Sequence, residues 1–156
     1  MNDTALFALR PRTVDRAFVM IGIALLAGVA EALLHAAAEL EHGNPEIGSL
    51  ATGLGIRAMI YLLVGVVALR MRAGDRLART TLAVGLGTVG LASLVIEPLA
   101  ATLSANGFGE LIDGATVGSA AIALLRVVHV VAVVIALVSM YRYDARLYFR
   151  PARRRA

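Results

Sequence analysis

The chain has 156 residues, 59% of them hydrophobic, with mean hydropathy +0.79 and no cysteine. A soluble domain is about half apolar, so the composition points to a polytopic membrane protein; the missing cysteine excludes disulfides, zinc–thiolate sites, iron–sulfur clusters and cysteine nucleophiles. The formal charge is +4 and the pI about 10.3, but the arginines flank apolar blocks without the interleaved aromatics of a base-stacking surface, which argues against a nucleic-acid partner.

Four apolar blocks follow in chain order. Arg10, Arg12 and Arg16 precede the first, 17–40. Its apolar run is too long for the core of a signal peptide, so it reads as a spanning helix. Gly43, Asn44, Pro45 and Gly48 then mark an outer turn over 41–49. The second block is 50–69, and Arg70, Arg72, Arg76 and Arg79 surround a short turn at Gly74-Asp75. The third is 80–103, where Pro98 removes one backbone hydrogen bond and is expected to kink the helix. After an outer loop over 104–114 comes the fourth, 115–140. In the basic tail, 141–156, arginines alternate with Tyr141, Tyr143, Tyr148 and Phe149, as expected for an anchor on anionic lipid at headgroup level. Each block is long enough to cross a hydrocarbon core about 30 Å thick, and lipid admits only helices or closed barrels.

Charge assigns the sides. Thirteen of the fifteen basic residues, all arginine, flank alternate ends of these blocks, and the other two are Arg57 and Arg126. The intervening loops have no arginine and carry Glu41, Glu46, Glu110 and Asp113. The positive-inside rule then puts both termini in the cytoplasm. Short connections imply antiparallel neighbours. The expectation is one all-α membrane domain over 1–156: an up-down antiparallel four-helix bundle, N-in and C-in. Arginine without lysine, with abundant Ala and Gly, suggests a high-GC bacterial genome and hence a bacterial plasma membrane.

Glu31, Arg57, Glu97, Arg126 and His129 lie deep in the blocks. They fall 13 to 18 residues from the nearest arginine at the basic end of their own helix, roughly 20–27 Å at 1.5 Å per residue. One polar layer in the outer half of the membrane would hold them all, with His35 at its upper edge. A charge near a helix centre costs about 2.5–3.5 kcal/mol and so demands a partner. Glu31 is nearly level with Arg126, and Glu97 can meet Arg57, with Tyr61 one turn below. Small residues share faces with these groups, including Ala24, Ala27 and Gly28 with Glu31, and Gly53 and Gly65 with Arg57 and Tyr61.

Two function classes fit that layer. Neutral pairing of two glutamates with two arginines favours a non-enzymatic accessory or assembly subunit that self-associates or joins a larger membrane complex. The alternative is a transporter or channel-like protein moving an ion, proton or small solute past Glu31, His35, Arg57, Tyr61, Glu97, Arg126 and His129. No HExxH, nucleophile elbow or paired-aspartate metal motif supports an enzyme. Glu39, Glu41, His42 and Glu46 have metal-ligand chemistry at the outer mouth, but their spacing matches no tight motif and no metal is expected. No cofactor is expected either: His35 and His129 differ in depth by six residues, roughly 9 Å, which opposes a bis-histidine haem b.

Overall fold

The computed structural model describes residues 11–41, 46–90 and 117–149, and among them the chain is helical with no strand. Helix α1 spans Arg12–Glu41, α2 Ile47–Arg72, α3 Arg76–Val84, α4 Val117–Met140 and α5 Tyr143–Tyr148. A π-helical segment, Gly85–Gly90, continues α3 directly. Among the described residues, three helices are long and apolar enough to cross a membrane: α1, α2, and α4 with its next residue, Tyr141.

Helix α1 starts five residues before the apolar block. Pro11, whose ring presets its backbone, accepts at its carbonyl from the amides of Val14 and Asp15, and Asp15 lies in the first turn, where a carboxylate favours the helix dipole. Arg12 and Arg16 are therefore helical residues and not a leader before the helix. Buried positions recur at Val14, Ala17, Ile21, Ala24, Ala27, Gly28, Glu31, Ala32 and Ala36, the three-four spacing of a single stripe. That stripe faces α4, which buries Ala132, Val133, Ala136, Ser139 and Met140.

The α2–α3 connection is tight. The amide of Gly74 donates to the Met71 carbonyl at 2.9 Å and that of Asp75 to the Arg70 carbonyl at 3.1 Å. These are the two bonds of a Schellman turn, which needs a left-handed residue after the cap; Gly74 supplies it at φ +95. Asp75 then caps α3, its carboxylate accepting from the amides of Leu77 and Ala78 at 2.9 and 3.2 Å. These two bonds, with Arg70 alongside, hold its pKa below the ordinary carboxylate value; the Ala78 amide contributes most.

Beyond Val84 the helix widens. The expected continuous α-helix over 80–103 is replaced at Gly85–Gly90 by π geometry, where four glycine and threonine positions among six residues offer little side-chain packing to hold the tighter winding. Thr88 Oγ1 donates to the Val84 carbonyl at 2.6 Å, giving that carbonyl a partner at the start of the widened turn. A uniform α-helical register for the third block does not hold across this turn. Glu97, the expected kink at Pro98 and the outer loop lie outside the described residues.

The N-terminus of α1, the α2–α3 turn and α5 meet at one end, the arginine-bearing end. Asp15 pairs with Arg72 at 3.1 Å, and Tyr148 donates to the Arg72 carbonyl at 3.4 Å. Val14, Ala17, Ile21, Ala68, Met71, Ala78, Leu82, Ala136, Met140, Ala145 and Phe149 form the main core there. The described part of the tail, through Phe149, folds back as α5 and buries Ala145 and Phe149 under the bundle.

Candidate functional site

Midway along α1 the stripe passes from apolar to charged. Ala24, Ala27 and Gly28 give way to Glu31, which is 8% exposed. Opposite it on α4, Arg126 aims its guanidinium across the interface. Nε donates to Glu31 Oε1 at 2.9 Å and Nη2 donates to the same oxygen at 2.6 Å. Both are short, charge-assisted bonds, and the fork fixes the relative height of the two helices. One face of each helix is spent on the contact, and α1 and α4 are the most extensively apposed pair of elements among the described residues.

A glycine brings in the third helix. A Cβ built on Gly28 would stand 2.9 Å from Tyr61 Oη and 3.1 Å from His129 Cε1. No ordinary side chain fits without moving them, so the missing side chain lets Tyr61 of α2 and His129 of α4 meet the α1 backbone one turn from Glu31. His129 Nδ1 is enclosed and has no hydrogen-bond partner. His35 lies on the outward side of Glu31, with Nε2 3.9 Å from Oε1 and its side chain 48% exposed. At that distance the contact is electrostatic when His35 is protonated and is no hydrogen bond.

The structure therefore gathers Glu31, His35, Tyr61, Arg126 and His129 around one point. Arg57 is placed differently. It lies one turn along α2 from Tyr61, is exposed, and makes no ion pair among the described residues. Its expected partner, Glu97, lies outside the described residues. Of the outer-mouth residues, Glu39, Glu41 and Glu46 are exposed and His42 is outside the described residues. Among the described residues no three His, Asp or Glu side chains assemble as metal ligands.

Sequence reasoning passed over three parts of this arrangement. Gly28 was legible as one small residue among several, but its role as the meeting point of three helices depends on two aromatic rings from other helices. The Asp15–Arg72 pair joins residues 57 apart at the basic end; an aspartate one turn before an apolar run is the signal that points to it. Arg79 was counted for topology, yet it is held between two aromatic side chains. Comparison with known proteins returns no matching protein family, no matching curated protein and no matching solved structure.

Proposed function

We propose that the chain is a multi-pass plasma-membrane protein of bacterial type, an up-down antiparallel four-helix bundle with both termini in the cytoplasm. It acts as a non-enzymatic accessory or assembly element. The observation that carries this reading is the closed Glu31–Arg126 contact. One carboxylate oxygen takes both guanidinium donors, in a site where the glutamate is 8% exposed. Two opposite charges so joined leave little free charge to bind a solute, and they fix helix register instead. The surface supports the same role. Ile56, Met59, Ile60, Leu62, Leu63 and Val66 of α2 are all more than half exposed, an apolar helix face available to lipid or to a neighbouring transmembrane helix.

Purification in mild detergent tests the reading. The chain is expected to run as a discrete oligomer or with a co-purifying membrane partner, and a stable, partner-free monomer overturns it.

A second reading, movement of a proton, ion or small solute through the polar layer, draws on one observation. His129 Nδ1 is enclosed without a hydrogen-bond partner within the layer that holds Glu31, and buried polar atoms are ordinarily satisfied. Proteoliposomes under proton and cation gradients, with Glu31→Gln as the control, decide it. Flux that disappears in the variant replaces the assembly reading; no flux under any imposed gradient removes the transport reading for those ions.

A further inference from the structure

Three arginines at the basic end are held in two different ways. Arg70 pairs with Asp75 at 2.9 Å, and Arg72 pairs with Asp15 at 3.1 Å while its guanidinium also covers the Phe18 ring at 4.8 Å. Arg79 has rings in place of a carboxylate. Its guanidinium carbon lies 5.4 Å from the Tyr141 centroid and 4.8 Å from that of Phe149. Cation–π contact stabilises the charge through the ring faces, but it accepts no directed N–H bond. Nε and Nη1 of Arg79 are enclosed and make none. Nη2 is not among the enclosed, unpartnered atoms, and the residue as a whole is partly exposed, so Nη2 is the guanidinium nitrogen open to a ligand.

The surroundings add positive charge. Arg76 lies one turn before Arg79 on α3, and Arg142 adjoins Tyr141. Both are exposed, and neither makes an ion pair among the described residues. A groove of about 160 Å³ between α2 and α3, lined in part by Arg70 and Asp75, has its charges paired by that ion pair and includes none of Arg76, Arg79 or Arg142. Depth identifies the ligand chemistry. Arg79 reaches the ring of Tyr141, the residue that follows α4, where apolar helix gives way to arginine and tyrosine, which is the headgroup layer. Basic sites between helices at that level suit lipid phosphates, and the Nη2 edge of a planar guanidinium, held in place by its two enclosed nitrogens, presents a directed N–H donor to a phosphate oxygen.

We propose that Arg79, with Arg76 and Arg142, binds the phosphodiester of one anionic phospholipid at the arginine-bearing end. The bound headgroup supplies an acceptor to Nη2, which Tyr141 and Phe149 do not, and by holding the guanidinium over their rings it tightens the packing of Phe149, and with it α5, against α3. The site needs the chain in a membrane but not the Glu31–Arg126 clasp, so either can fail without the other.

The test uses the full chain, purified and delipidated in mild detergent. Phosphatidylglycerol, phosphatidylcholine or glycerol phosphate is added, and retained lipid is counted by native mass spectrometry alongside the thermal unfolding midpoint. The wild type is expected to keep one phosphatidylglycerol and to unfold at a higher midpoint than with phosphatidylcholine. Arg79→Gln is expected to weaken that selective binding about tenfold, the size of one lost charge-assisted partner; Arg70→Gln leaves it intact. If Arg79→Gln does not fold, the Arg76→Gln/Arg142→Gln double variant is expected to show the same loss. Equal binding of the two lipids by the wild type, or full selectivity in a folded Arg79→Gln chain, overturns the proposal. So does an equal stabilisation by glycerol phosphate, which would make the ligand a free phosphate ester and not a lipid.

Discussion

The two ends of the α1–α4 interface are built from different materials. At the arginine-bearing end Val14, Ile21, Met71 and Met140 are almost wholly buried, and α2, α3 and α5 all contribute to one core. Towards the other end, α1 buries only Ala24, Ala27, Gly28, Ala32 and Ala36 around Glu31. Helix α2 changes in the same direction: its buried residues are Ala68 and Met71, both near the basic end, and further out it meets α1 through Tyr61 against Gly28. Large side chains fill volume and give stability through packing. Small ones let backbones approach and leave specificity to the few polar groups between them. The first region should therefore answer to volume changes and the second to charge and single atoms.

The largest expected effect is in the second region. Glu31→Gln removes the carboxylate charge that takes two N–H bonds from Arg126, and Arg126→Gln removes the cation beside the buried Glu31. Each is expected to cost about 3 kcal/mol, as when one partner of a buried pair is removed, measured by reversible unfolding in detergent or bicelles. Next comes Met71→Ala in the first region. Met71 is 0% exposed, and the cavity left behind is expected to cost about 2–3 kcal/mol. A loss as large from Val66→Ala, which faces outward, would break the contrast between packed and exposed faces of α2.

Gly28→Ala should cost less, about 1 kcal/mol, because the atom it meets first is the far end of the Tyr61 side chain. Combining it with Tyr61→Phe, which removes that oxygen, is expected to recover much of the loss in the same unfolding assay. If the pair instead adds up as independent changes, α2 does not pack where Gly28 indicates.

The smallest effect concerns the α2–α3 turn at the arginine-bearing end. In the folded chain the Asp75 carboxyl titrates below its ordinary value, held there by the Ala78 and Leu77 amides and by Arg70. The unfolded chain binds that proton more readily. The contribution of this cap is therefore fully present above the ordinary carboxylate pKa and is lost as pH falls through the folded value. Asp75→Asn should flatten that acid-side dependence in an unfolding titration while keeping the turn, since asparagine also caps.

These contrasts also explain what could be read in advance. Membrane-capable helices were legible because lipid thickness sets a length that α1, α2 and α4 meet. Glu31 could be set level with Arg126 by counting residues from the arginines, since a helix rises uniformly, and the two side chains meet in the structure. Counting fails where the rise or the path changes. The π-helical Gly85–Gly90 breaks the uniform register of the third helix. Arg57 has the depth of the layer but stands exposed beside Tyr61, because depth says nothing of which direction a helix turns its face. Aromatics in the tail were read as an interface belt, yet Phe149 is buried; composition alone cannot tell a ring lying on lipid from one folded under a bundle.

The most direct test of the central claim, that Glu31 and Arg126 clasp α1 to α4, is a double-mutant cycle with charge reversal, read as unfolding free energy in one bilayer-mimetic medium. The account predicts that Glu31→Gln/Arg126→Gln is more stable than either single variant, and that Glu31→Arg/Arg126→Glu recovers stability over Glu31→Arg alone. Single losses that simply add, with no recovery on reversal, would contradict it.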